Sequence, residues 1–215
     1  MTSTGNLEIL KELKLSGFTK HGIVEVVLVT QNFDGSPNAA PIVVKLVDGS
    51  LELKSYRGSK TYENLKRTKR AIINVTHDPL LFLYTSFKDE FVKQPKILPD
   101  LTLKDADSYI IVDLISEKSH SEEWSIYKAT PVDFVKRRKN PIVFSRGRAA
   151  AIEAIIHATR VKAFINKGKE AEVKELTRKI EACSRTVNRV SPIDSPEHLV
   201  IDNLGKLLEK WRDQS

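Results

Sequence analysis

Apolar residues follow two different periods along this chain, and the change between them divides it near residue 140. Residues 6–15 place Leu7, Leu10 and Leu13 three apart, which predicts a short amphipathic helix. From residue 23 the pattern turns to β-branched residues. IVEVVLVT at 23–30 reads as a strand, NFDGSP at 32–37 as a turn, and residues 38–47 as a second strand. Asp48-Gly49 is another tight turn, and residues 51–56 make a third strand, so the three form an antiparallel meander. A short helix is expected through Tyr62, Leu65 and Lys69, then a fourth strand, AIINVT, at 71–76. Asp78-Pro79 is a helix start, with Asp as cap and Pro at the first position, and residues 80–87 form the helix body.

Residues 88–107, with Pro95 and Pro99, read as a mobile loop excursion. Residues 109–115 and 124–134 are strands joined by a polar stretch at 117–123. Six strands with few and short helices suit a closed or half-closed antiparallel barrel better than a parallel sheet. Beyond Pro141 the period becomes helical. Residues 145–165 carry Ala149, Ile152, Ile155, Ile156 and Thr159 on one face. Residues 169–190 set Val173, Leu176, Ile180 and Cys183 opposite their charges, and residues 197–212 carry Leu199, Leu204, Leu207, Leu208 and Trp211. The expected division is therefore a β-barrel over 1–140 and an α-helical segment over 141–215, packed on the barrel or on a dimer.

Composition narrows the function classes. Of 215 residues 40% are apolar, enough for a core. No stretch is long and apolar enough to cross a bilayer. Residues 1–20 carry Glu8, Lys11, Glu12 and Lys14, which is not a secretory signal, so a cytoplasmic protein without a membrane partner is expected. The single cysteine, Cys183, excludes an internal disulfide. His21, His77, His120, His157 and His198 are scattered and show no metal-ligand spacing; His157, beside Ile155 and Ile156, reads as packed. The net charge of +7 is spread along the chain, with one tight run at Lys136-Arg137-Arg138-Lys139. Without interleaved exposed aromatics this run reads as a solvated segment, which does not favour nucleic acid as the partner.

Three segments can carry chemistry. In Asn38-Ala39-Ala40-Pro41-Ile42 a proline interrupts a good strand, implying an edge or an interrupted ladder, and two alanines remove bulk. A flat ligand can lie there against free main-chain groups, although taken alone the segment reads as a plain guarded edge. In Arg57-Gly58-Ser59-Lys60-Thr61 a strand ends and hydroxyls and cations precede a helix, which is a cradle for an anion or, equally, a capped surface helix. In Asn74-Val75-Thr76-His77, polar groups line a strand end, and His77 reads as a satisfied polar residue rather than a proton donor.

The order of these pieces carries a resemblance. NAAP on a strand, GSKTYENL opening a helix and AIINVT on the next strand resemble the FMN-binding split barrel of flavin reductases. More narrowly, GIVEVVLVT, NAAPIVVKLVDG and FSRGRAAAIEAIIHATR are similar to the signatures of a mainly archaeal domain-of-unknown-function family, DUF447. The resemblance covers most of residues 20–165. It implies a mainly β plus α fold: a six-stranded antiparallel split β-barrel with a C-terminal helical subdomain. It also implies a homodimer with FMN between the protomers. The ring edge would be bonded by main chain at Asn38, Ala39, Ala40, Pro41 and Ile42. The phosphate would be held at Arg57, Ser59, Lys60 and Thr61, with Asn64 supporting that loop. Asn74, Val75 and Thr76 would flank the ring or ribityl chain. Arg146 and Arg148 would reach the phosphate or partner subunit, or serve the surface. The resulting reading is a flavin-dependent oxidoreductase of the flavin reductase type, using NADH or NADPH and an unknown small acceptor. The rival readings are a non-catalytic flavin-binding module and, behind it, a basic nucleic-acid-binding protein.

Overall fold

The computed structural model describes residues 3–213 except 89, 93, 139 and 166. The chain divides into two compact units, residues 1–144 and 145–215.

The first unit is a closed antiparallel barrel in the order β1-β2-β3-β6-β5-β4. Its strands are β1 (Ile23–Gln31), β2 (Pro37–Val47), β3 (Ser50–Tyr56), β4 (Arg70–Val75), β5 (Ser108–Ser119) and β6 (Trp124–Lys136). Helix α1 (Ser3–Leu15) precedes them, α2 (Lys60–Thr68) follows β3 and α3 (Pro79–Ser86) follows β4. The β2–β3 connection is a two-residue turn in which Asp48 and Gly49 both have positive φ, 45° and 81°, as a turn matching strand twist requires. The polar stretch after residue 115 is not a free connector. It continues β5 to Ser119, paired with β6 as far as Ser119↔Ser125, because cross-strand bonds need no apolar side chains.

Alternation places the core. Val24, Val26 and Leu28 of β1 meet Ile42, Val44 and Leu46 of β2 inside the barrel, with Leu51, Leu53, Ile73, Val75, Ile110 and Tyr127. Leu65 of α2, fully buried, closes one end of this core. The opposite faces of β1 and β4 are not left wet. Val27, Val29 and Ile72 sit with Ala39, Leu103 and Ala106 in a second cluster, joined by Phe82 of α3. The 88–107 excursion is therefore packed at residues 97–106, with Leu103 at 0% exposure, rather than a mobile loop throughout. The signal was hidden because a single irregular segment has no period to read.

Asn74 fastens that cover. Its amide Nδ2 donates to the Val27 and Ile72 carbonyls at 3.3 Å each, and its Oδ1 accepts from the Leu103 N–H at 2.8 Å.

The second unit comprises α4 (Arg146–Phe164), α5 (Glu170–Val190) and α6 (Pro196–Asp213). The expected apolar face of α4 is corrected. Ile152, Ile155 and Ile156 are exposed, whereas Gly147, Ala151, Ala154, His157, Ala158 and Val161 are buried. Close helix approach selects small residues: a Cβ on Gly147 would lie 2.0 Å from the Ser191 Oγ. His157 is packed at 8% exposure. On α6, Leu204 is buried and Leu199 and Leu207 are exposed.

Removing the Asn74 clamp leaves the buried Leu103 N–H without an acceptor, a cost of about 1–3 kcal/mol. Asn74→Ala is expected to lower stability by that amount in urea unfolding, with proteolysis accelerated first within residues 97–106. Unchanged stability and cleavage would show that the clamp is not holding the segment.

Candidate functional site

The β2–β3 ladder runs from Val47↔Ser50 only to Val43↔Lys54. Beyond it β3 stays with β6, through Ser55↔Ser125 and Tyr56↔Trp124, while β2 stays with β1 as far as Gln31↔Pro37. The two strands part, so residues 38–42 have a partner strand on one side only. Ladder alternation assigns the groups on the other side. Asn32 N–H donates to the Ser36 carbonyl at 2.8 Å, so the β1–β2 bonds recur at Asn38, Ala40 and Ile42. Ala39, Pro41 and Val43 then turn their main-chain groups toward the parted edge. Pro41 sits where no ladder needs its missing N–H, which is the physical reason a proline is tolerated inside β2. The Ala39 N–H and the Ala39 and Pro41 carbonyls line the opening.

Across the split stands the start of α2. Gly58, with φ of 82°, turns the chain. Ser59 is the N-cap: its Oγ accepts from the Tyr62 N–H at 3.1 Å and donates to the Tyr56 carbonyl at 2.7 Å. Its capped first turn presents the N–H groups of Lys60 and Thr61 with the positive end of the helix dipole. The Lys60 side chain is exposed, and Thr61 is buried.

A buried polar network locks the two sides together. Asn38 Nδ2 donates to Thr61 Oγ1 at 3.1 Å and to Thr30 Oγ1 at 3.3 Å. Asn64 Nδ2 donates to Thr30 Oγ1 at 3.1 Å and to Asn32 Oδ1 at 2.9 Å. Lys88 Nζ donates to Asn38 Oδ1, and to the Ala39 carbonyl at 3.3 Å. Asn38 and Asn64 are thus spent on holding the walls, and Thr30 and Lys88 join them. Thr30 carried a signal, a polar residue ending an apolar strand; Lys88, in a segment without periodicity, carried none.

A second network fixes Arg57. Its Nε donates to Ser125 Oγ at 2.9 Å, and Ser125 donates to Glu117 Oε1 at 2.9 Å. Tyr62 OH donates to the same oxygen at 3.2 Å. Partial burial pushes the Glu117 carboxyl up. The Ser125 and Tyr62 hydrogen bonds, with Lys66 and Arg57 nearby, outweigh it and hold the group below its ordinary 4.5. Tyr127 is pushed up, first by burial and then by Glu117.

The remaining predicted residues lie elsewhere. Ile42 and Val75 point into the barrel core. Asn74 is at 0% exposure with its amide engaged. Thr76 Oγ1 accepts from the Asp78 N–H at 3.1 Å. The structure thus joins the segments around Asn38 and Thr61 and gives Asn74, Val75 and Thr76 structural partners.

Within the basic run, Lys136 pairs with Glu12, and Arg138 with Asp107 at 3.0 Å. Arg137 bonds Thr102 and Leu103 and stands 5.0 Å over the Tyr109 ring. Lys139 lies outside the described residues. Arg148 approaches Glu197 at 3.8 Å within the helical unit. Burial, then Glu153, pushes the Cys183 thiol up, away from thiolate chemistry. Among the described residues no cluster suits a metal ion, and no helix is long and apolar enough to cross a membrane.

Residues 24–138, just over half the chain, match the family described as protein of unknown function (DUF447), N-terminal domain; the chain belongs to this family. It is similar to an FMN-bound DUF447 protein from Methanosarcina mazei, at 23% identity and a TM-score of 0.51, covering 90% of this chain and 98% of that one. A likeness also extends to the styrene monooxygenase flavin reductase of Pseudomonas putida S12, at 11% identity and a TM-score of 0.49, over 61% and 87% of the two chains. A flavin reductase domain protein from Arthrobacter sp. FB24 gives 17% identity and a TM-score of 0.47, over 65% and 91%. The fold, a closed six-stranded antiparallel barrel, is similar to that of the Methanosarcina mazei protein.

The lowered Glu117 carboxyl makes a pH prediction. A depressed folded-state value contributes stability that is present above the unfolded value and lost as pH falls through the folded one. The stability difference between the native protein and Glu117→Gln is therefore expected to be largest near neutrality and to shrink below about pH 4.5, the ordinary value. Its size stays under about 1 kcal/mol because the carboxylate is largely solvated. Thermal melts across pH measure it; a difference that grows on acidification would contradict the arrangement.

Proposed function

We propose that this protein binds FMN in the β2–β3 split and acts as a flavin-dependent oxidoreductase. One observation carries the reading: the Asn38–Thr61 hydrogen bond of 3.1 Å sets an open strand edge beside a capped helix start. The edge offers the Ala39 N–H as donor and the Pro41 carbonyl as acceptor to the polar rim of a planar ring, while the Ala39 carbonyl is held by Lys88. The helix start offers N–H groups and the Lys60 ammonium to a phosphate, with Arg57 adding charge. Asn38, Thr61 and Asn64 keep the two subsites at a fixed separation. Ala39 and Ala40 allow close approach of the ring. Membership in DUF447 supports the assignment, as does the likeness to the FMN-bound protein of Methanosarcina mazei.

When bound, FMN supplies the redox chemistry at its own ring. The protein's part is to position the ring and compensate the phosphate charge. NADH or NADPH is the proposed reductant, with a small molecule as acceptor and the cytoplasm as the setting. The proposed working form is a homodimer. Leu80, Leu83 and Phe87 form an exposed apolar stripe along and just beyond α3, with Phe91 following, beside the split. A second copy closing over it would also wall the ring from water.

The purified protein is expected to carry or take up FMN with the visible spectrum of a bound flavin. Lys60→Gln is expected to weaken FMN about tenfold, in line with loss of one charge-assisted contact, and to leave riboflavin binding unchanged. Fluorescence titration checks both. Absence of FMN uptake, or equal losses for FMN and riboflavin, would overturn the placement. Stopped-flow reduction by NADH or NADPH distinguishes an oxidoreductase from a flavin carrier.

A further inference from the structure

A groove of about 500 Å³ adjoins the candidate phosphate loop at Lys60, lined by Asn32, Phe33, Asp34, Lys60, Asn64 and Arg67, together with Glu63. One wall is α2, where Lys60, Glu63, Asn64 and Arg67 recur at helical spacing. The other is the tip of the β1–β2 hairpin. That tip is held in place. Asn64 grips Asn32 at 2.9 Å, Asn32 Nδ2 donates to Ser36 Oγ at 3.0 Å, and Asp34 Oδ1 accepts from the Ser36 N–H at 2.9 Å. Arg67 donates to the Gln31 carbonyl at the hairpin base. On this braced tip Phe33 is 92% exposed. A large aromatic held in water contributes nothing to the core, and the barrel's apolar clusters do not include it.

The chemistry in the groove is mixed in a specific way. Lys60 and Arg67 are cations suited to phosphate. The Asp34 carboxyl is held below its usual range by hydrogen bonds from Ser36 and is an acceptor for an exocyclic amine or ribose hydroxyl. Glu63 is a second such acceptor. Phe33 provides a face for a heterocycle. Lys60 belongs both to this groove and to the start of α2.

We propose that this groove binds an adenosine phosphate. The base stacks on Phe33, carboxylates meet the amine and ribose, and Lys60 and Arg67 meet the phosphates. Resting on the flavin reading of the neighbouring loop, the proposal identifies a ligand that continues past the flavin phosphate, as in FAD. The same adenosine phosphate could instead arrive on a pyridine nucleotide, and the experiment separates the two.

The full chain and its Phe33→Ala variant are titrated with FMN, FAD, ADP-ribose and 5′-AMP, using flavin fluorescence and calorimetry. Since Phe33 is exposed, its loss does not perturb the fold, which circular dichroism verifies. The expected result is FAD binding about tenfold tighter than FMN, with Phe33→Ala erasing that advantage and leaving FMN unchanged. A Phe33-dependent affinity for ADP-ribose with no FAD advantage supports the groove and assigns it to the pyridine nucleotide. FMN binding without a Phe33-dependent response to FAD, ADP-ribose or 5′-AMP overturns the proposal and leaves the flavin reading standing. If neither flavin binds, the flavin reading fails; Phe33-dependent 5′-AMP binding would still uphold the groove, and its absence would overturn it.

Discussion

A strand cannot bond two neighbours where a proline sits and one neighbour has left. That constraint at Pro41 organises this molecule. Residues 43–47 of β2 close the barrel through β3, and residues 38–42 hold to β1 alone. Everything beside the opening follows from keeping it open without leaving buried groups unpaired. Helix α2 fills the barrel end with Leu65, and Asn38, Thr61, Asn64 and Thr30 satisfy one another at the polar rim. An unsatisfied amide at such depth would cost about 1–3 kcal/mol, so this network both stabilises the end and sets its geometry.

The opposite problem is solved on the outer face of β1 and β4. Val27, Val29 and Ile72 would face water were it not for Leu103, Ala106 and Phe82. The cover is irregular chain, which must be fixed by side chains rather than by a ladder, and Asn74 is the residue that does so. A buried asparagine at a strand end can belong to a binding site or to a brace. Here the distances to Val27, Ile72 and Leu103 identify a brace.

Much of the barrel was legible in the sequence because its signals are local. The Asp48-Gly49 turn, the β-branched runs and the Asp78-Pro79 helix start each have a short-range cause, and each element lies within a few residues of its expectation. The meeting of the 38–42 segment with the 57–61 loop followed from a resemblance in motif order, and the Asn38–Thr61 bond now gives it a physical basis. What the sequence hid depends on long-range geometry. Lys88 reaches the split from a segment with no period. Glu117 belongs to a strand extension that looks like a polar linker. On α4, isoleucines outweigh alanines in any hydropathy reading, yet close helix packing buries the alanines and leaves Ile152, Ile155 and Ile156 exposed.

Flavin binding at the split requires one strand edge to be open and a planar ligand to use it. Amide hydrogen exchange of Ala39, followed by NMR with and without FMN, tests this requirement most directly. The expected result is fast exchange at Ala39 in the free protein, slow exchange at its ladder-bonded neighbour Ala40, and marked slowing at Ala39 once FMN is added. An Ala39 amide already protected like Ala40, or one whose exchange FMN leaves unaltered, would contradict flavin binding at the split.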